Sequence, residues 1–287
     1  MPNNAAESNL AKPIRAREEA DYLEMGGEQV YYILHRARKP VAKMLLAGHF
    51  VTERPFAYAP WVRWARYLAN RGIIALRFDY RGCGESTGEF HKFTLTSWLD
   101  DSRAMYAFLK AQDSDVPILL NGIGLGGLLA ARLFHEGLGA ALLLWSPSTS
   151  GADALRDTLL RRLAFDLSDP ATARSKTWTD YKSSLERGES VEAAGYTVTA
   201  ALWREAVEMK LVLPEGGRDN GVDAQGRPWR IKKLGQLEVP LVPGGGLWQA
   251  LNPGLRIRRA PLNPDLKGMF EENVQWIHSN VSGQVVN

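Results

Sequence analysis

The residues with the plainest chemical meaning are Asn121-Gly122-Ile123-Gly124-Leu125-Gly126-Gly127, which follow an apolar, strand-like run and open a helix-like one. A nucleophile elbow, Gly-x-Ser-x-Gly, has this context: its outer glycines let strand and helix approach closely, and its serine is projected from a strained turn. Here Gly124 stands where the serine would be. Glycine accepts unusual backbone angles at little steric cost, so the substitution keeps the turn and deletes the oxygen. A glycine-rich strand-to-helix turn can also bind phosphate through backbone N–H groups. Against a phosphate loop of the P-loop kind, no Lys-Ser/Thr follows.

The elements around this turn are legible from periodicity. Apolar runs at Gln29–Leu34, Ala42–Ala47, Ile73–Phe78, Val116–Asn121 and Ala140–Trp145 read as strands, and Trp61–Asn70, Leu95–Ala111 and Leu125–Gly137 as helices. Their alternation over residues 29 to 150 predicts an α/β protein with a doubly wound, mostly parallel sheet. After Pro147 the pattern changes: Leu155–Asp166 and Ala200–Lys210 look helical and are joined by a polar segment, which reads as a helical cap insertion. Glu215–Gly226 reads as a hairpin or loop, Trp229–Lys232 as a short strand, and Asp265–Ser279 as a final helix packed through Phe270, Val274 and Ile277. The expected division is a polar N-terminal segment (1–22), a first core part (23–150), a cap (151–212) and the rest of the core (213–287).

A second motif makes the likeness specific. Phe78-Asp79-Tyr80-Arg81-Gly82-Cys83-Gly84-Glu85-Ser86-Thr87-Gly88 resembles the loop after the fourth strand of α/β hydrolases, typically Asp-x-Arg-Gly-x-Gly-x-Ser. With Trp98-Leu99-Asp100-Asp101, Gly195-Tyr196-Thr197-Val198-Thr199 and Leu202, it is similar to the exosortase A system-associated hydrolase 2 group over about residues 41 to 280. The resemblance implies an α/β-hydrolase fold. In that group the elbow often lacks serine too, which implies a natural divergence at Gly124, although glycine is not the group's usual residue there.

In these enzymes the triad runs serine, acid, then a histidine just before the last helix. Arg259-Ala260-Pro261-Leu262-Asn263-Pro264 contains no histidine, and Leu237–Trp248 offers only Glu238 as an acid. His278 falls within the last helix and reads as a surface or packing residue. The resemblance makes Ala47-Gly48-His49-Phe50-Val51-Thr52-Glu53-Arg54 the loop that supplies an oxyanion-hole amide. His49 is then the candidate acid/base, since its ordinary pKa suits proton transfer near neutrality, or else it braces the loop by hydrogen bonding. Amides around Phe50 and Leu125 could hold a carbonyl or carboxylate. Glu53 and Arg54 either present charge to a ligand or pair on a solvated face. Tyr58, Trp145, Tyr196 and Trp248 either wall an apolar pocket or belong to the core. Cys83 reads as packing rather than as a substitute nucleophile, and Asp79 as a turn-stabilising acceptor.

Composition bounds the partners. The 287 residues carry a net charge of +3 spread along the chain, with no dense basic run of the kind nucleic acid requires. No run of about 18 apolar residues suggests a membrane span. The N-terminal residues lack the pattern of a secretory signal, and the single cysteine cannot form an internal disulfide, so a cytoplasmic location is expected. Five scattered histidines and one cysteine show no metal-ligand spacing, and no cofactor is implied. The expected partner is a small-molecule substrate or ligand, with a homodimer as an open reading. Three functions remain: a repurposed, non-hydrolytic enzyme of a biosynthetic pathway (epimerisation, cyclisation, elimination or other proton transfer next to a carbonyl); a non-catalytic ligand-binding or accessory protein of a polysaccharide or biosynthetic system; and a hydrolase using another nucleophile, such as Cys83 or Ser86.

Overall fold

A computed structural model describes residues 17–51, 54–112, 114–166, 177–193, 195–213, 220–222, 228–234 and 264–281. Its centre is β3 (Ala42–Ala47), β4 (Ile73–Phe78), β5 (Ile118–Gly124) and β6 (Ala141–Pro147), four strands that run parallel. The first two are buried at every residue, as expected for strands covered by helices on both faces. An antiparallel hairpin, β1 (Arg17–Met25) and β2 (Glu28–Arg36), adds to the β4 side. Farther along the chain, β9 (Asn220–Val222) and β10 (Pro228–Leu234) complete the other side, with β10 parallel to β6. The resulting order is β1-β2-β4-β3-β5-β6-β10-β9.

Period-two alternation divides the core into two faces. Ile73 and Ala75 of β4 pack with α1 (Arg54–Asn70) and the C-terminal helix α7 (Pro264–Val281), whereas Ile74, Leu76 and Phe78 pack with α2 (Leu95–Lys110) and α3 (Leu125–His135). Phe270, Val274 and Ile277 are the buried residues that seat α7, as their helical spacing predicts; each contributes roughly 1.5–3 kcal/mol through burial. Between β6 and β9 come α4 (Gly151–Asp166), α5 (Trp178–Glu186), a small hairpin of β7 (Val191–Ala193) and β8 (Tyr196–Val198), and α6 (Ala200–Glu208).

The structure adds elements that periodicity does not reveal. β1 is an exposed edge strand rich in charge, so it lacks an apolar stripe and its charges discourage edge pairing. α1 begins at Arg54, seven residues before the apolar periodicity at Trp61, and carries Pro60 inside it. α5 buries only Tyr181 and Leu185 and is otherwise polar, which is why its sequence reads as a linker. Among the described residues no helix is long and apolar enough to cross a membrane.

Candidate functional site

Loops at the carboxyl ends of parallel strands are where α/β sheets place ligands, and both sequence motifs emerge there. β5 ends and α3 starts at Gly124, whose φ of 54° and ψ of −124° are rare for any residue bearing a side chain. The neighbouring glycines are required by space. A Cβ on Gly122 would strike the Gly126 carbonyl and Gly127 Cα, and one on Gly126 would strike the carbonyls of Ala47 and Gly48. The turn is therefore locked against the 47–51 loop. Two interior hydrogen bonds fix its strand: Trp64 Nε1 donates to Asn121 Oδ1 at 2.8 Å, and Asn121 Nδ2 donates to the Leu143 carbonyl at 3.0 Å.

The adjoining loop carries His49, half-buried with its ring edge-on to Trp61 at 5.4 Å. Phe50 turns into the core against Trp98 (4.8 Å) and Phe90 (5.9 Å), leaving the loop its backbone as polar surface. Val51 holds a positive φ of 34°. Beside this loop lies a narrow cleft of about 20 Å³, lined by His49, Arg54, Tyr58, Trp61, Arg77 and Asp79 among others. It admits one small polar group.

Charge around the cleft is organised in pairs. Arg54 donates to Asp79 at 2.6 Å and stacks over Tyr58 at 5.0 Å. Burial opposes the Arg54 charge, but the Asp79 carboxylate outweighs it and raises its pKa. Asp79 also accepts from the Glu85 backbone at 3.0 Å. Arg77 Nη1 donates to Tyr58 Oη at 3.1 Å, and its Nε meets His35 Nε2 at 3.2 Å. Burial first, then the Arg77 charge, push the His35 pKa down to about 4, so His35 is neutral at pH 7 and accepts from Arg77.

Neither alternative nucleophile is poised. Cys83 is buried, and desolvation pushes its thiol up to about 12, far from the thiolate that a nucleophile needs. Ser86 accepts from Tyr31 N at 2.8 Å and donates to the Asp79 carbonyl, so its hydroxyl closes the loop onto β2.

The structure gathers His49, Arg54 and Tyr58 in one cleft. Tyr196, in β8, lies against Phe90 at 4.9 Å and feels the charges of Arg54 and Asp79. Trp145 instead packs in the core with Trp64 (5.1 Å) and Trp61 (5.5 Å), and Leu125 is buried at the start of α3. Glu53, Trp248, Glu238 and the stretch 259–263 lie outside the described residues. His278 hydrogen-bonds the Arg71 carbonyl at 3.1 Å, at the turn that leads into β4 and so at the opposite edge of the parallel strands. Sequence reasoning missed Arg77; the available signal was an arginine inside the otherwise apolar run Ile-Ile-Ala-Leu-Arg-Phe. Among the described residues no cluster of three His, Cys, Asp or Glu could hold a metal ion.

A strand order of this kind, with a sharp β5–α3 turn at the carboxyl edge, defines an α/β-hydrolase fold. The model of the family described as Serine aminopeptidase, S33, matches residues 58–211, more than half of the chain, and the chain belongs to that family. Among solved structures, Est1E from Butyrivibrio proteoclasticus with bound ferulic acid aligns at a TM-score of 0.54 and 16% identity over 92% of this chain and 100% of its own. A second Est1E structure gives a TM-score of 0.53 and 14% identity over 92% and 99% of the two chains. Alpha/beta hydrolase domain-containing protein 10 from mouse gives a TM-score of 0.44 and 16% identity, over 67% and 71%. No curated protein matches the sequence. At such identities the likeness speaks to fold alone.

Proposed function

We propose that Gly124 stands at the nucleophile's position and that the chain is a repurposed α/β hydrolase, catalysing proton transfer next to a carbonyl on a small organic substrate without an acyl-enzyme. One observation carries this reading: the β5–α3 turn keeps the strained backbone of an elbow, at φ 54° and ψ −124°, on a residue with no side-chain atom. His49 is the acid/base. Of the five histidines in the chain, His35 is buried in β2, His91 is exposed beside Glu89, His135 ends α3 and His278 binds Arg71, which leaves His49 at the cleft. His49 would take the proton from the carbon next to the carbonyl, and the resulting enolate oxygen would accept from the backbone amides of Phe50 and Leu125. Each such donor is worth roughly 3 kcal/mol. Protonation of the enolate on its other face by water completes an epimerisation, and loss from the next carbon of a leaving group protonated by the His49 imidazolium completes an elimination. The described elements α4, α5, β7, β8 and α6 would serve as the cap over this edge, with Tyr196 as their contribution. Likeness to the exosortase A system-associated hydrolase 2 group supports a place in a polysaccharide or biosynthetic system.

A second reading, a non-catalytic ligand-binding or accessory protein, draws on the small cleft and on the pairing of Arg54 with Asp79. Deuterium exchange separates the two. Wild type, His49→Ala and Gly124→Ser are incubated in D2O with a panel of small 2-substituted carbonyl compounds, and exchange at the adjacent carbon is followed by NMR. The enzyme reading expects exchange by wild type, a loss of about 100-fold in His49→Ala, and no gain in Gly124→Ser. Exchange no faster than in buffer for every compound, with one of them bound, selects the binding protein.

A further inference from the structure

Arg77 occupies a position that β-strand alternation reserves for apolar residues. It lies on the same face of β4 as Ile73 and Ala75, under α1, and is 8% exposed. A buried guanidinium ordinarily has a carboxylate partner, because desolvation penalises a lone charge. Among the described residues no carboxylate forms an ion pair with Arg77. Its partners are the Tyr58 hydroxyl and the neutral ring of His35, both of which accept a hydrogen bond without supplying charge.

Among the described residues, the nearby acids are already committed. Glu18 is bound by Arg66 through two nitrogens and reaches the Arg77 side only across the His35 ring, 3.5 Å from its Nδ1, and Asp79 is bound by Arg54. In this group three guanidiniums face two carboxylates, and the arginine left over lines the cleft.

We propose that this cleft is a carboxylate subsite, in which Arg77 binds the carboxylate of a small organic acid entering past Tyr58. The planar guanidinium fork matches the two oxygens of a carboxylate. Tyr58, 37% exposed, is the side chain at the mouth. Because His49 lines the same cleft, a carboxylate seated on Arg77 holds the next carbons of the ligand toward His49. This deepens the proposed function, resting on its choice of edge, and makes the substrate class small 2-oxo or 2-hydroxy acids and their derivatives.

Acetate is the probe, with neutral acetamide as its isosteric control, titrated at fixed ionic strength into 15N-labelled protein. The reporter is the indole N–H of Trp61, a cleft residue, assigned through Trp61→Phe. Saturable shifts are expected with acetate and not with acetamide. Arg77→Met should weaken acetate binding at least about tenfold, and Arg77→Lys should fall between the two. Arg103→Met, at an exposed ion pair with Glu136, should bind as wild type does. Should Arg77→Met fail to fold, the acetate-against-acetamide difference in wild type still decides. Equal binding of the two probes, shifts that spare Trp61, or unaltered binding by folded Arg77→Met overturns the subsite. Acetate binding through Arg77 in a protein that exchanges no proton would keep the subsite and refute the enzyme reading. Proton exchange unaffected by Arg77→Met would do the reverse.

Discussion

Two turns leave the same edge of the sheet and have been treated very differently. The exit from β4, residues 79 to 88, is dense with side-chain hydrogen bonds. Asp79 binds Arg54 and the Glu85 amide, Ser86 links Tyr31 to the Asp79 carbonyl, and Arg81 holds the buried Asp101 through its backbone N–H and Nε. The exit from β5, residues 122 to 127, contains four glycines and only apolar side chains beside them. The first turn keeps its shape through polar partners and the second through close backbone contact. A turn held by close backbone contact does not depend on a side-chain hydroxyl for its shape.

If that contrast is right, the two turns should break in different ways, and the polar one should break hardest. Asp101→Ala leaves Arg81 buried without its carboxylate and should cost about 3–5 kcal/mol, read as a lower urea midpoint; a loss below about 1 kcal/mol would mean that the pair is dispensable. The network beyond Arg54 predicts a pH dependence. His35 titrates at about 4 in the folded protein, below its ordinary 6.5, so between those values the unfolded chain binds a proton that the folded one refuses. Stability is thus fully present above pH 6.5 and falls toward pH 4, by up to about 3 kcal/mol from this residue. His35→Gln should flatten that slope in urea titrations across the range.

The apolar turn should respond to bulk instead. Gly126→Ala drives a Cβ into the Ala47 and Gly48 carbonyls and should cost about 2–3 kcal/mol, visible in thermal unfolding. Gly124→Ser should cost less, about 1–2 kcal/mol, for the positive φ of 54°. A Gly124→Ser cost equal to that of Gly126→Ala would show that the site is filled as well as strained.

The same contrast explains what could be read from the sequence. Glycines at fixed spacing announce a turn because sterics demand them, so Gly122, Gly124 and Gly126 were legible, as were the central strands with their continuous apolar runs. Ion-pair networks announce nothing locally. Arg77 meets His35 and Tyr58 across distant stretches of chain, and Arg81 meets Asp101 from another element, so their roles emerged only when β2, β4, α1 and α2 were brought together. β1 stayed hidden because its pairing to β2 rests on backbone hydrogen bonds beneath charged side chains. Trp145 shows the converse limit: an aromatic residue near a strand's end serves a core or a pocket according to which face it takes, and here it takes the α1 face.

The central claim is that the elbow carries no nucleophile and that no neighbouring residue has replaced it. A fluorophosphonate, which phosphonylates activated serines, tests this directly by intact-mass spectrometry on wild type and Gly124→Ser. The account predicts an unmodified wild-type mass after prolonged incubation, with Cys83 and Ser86 held inert by burial and hydrogen bonding. A stoichiometric adduct on wild type, mapped to any residue of the cleft or of the β4 and β5 exits, would contradict it and restore the chain to the hydrolases by function as well as by fold.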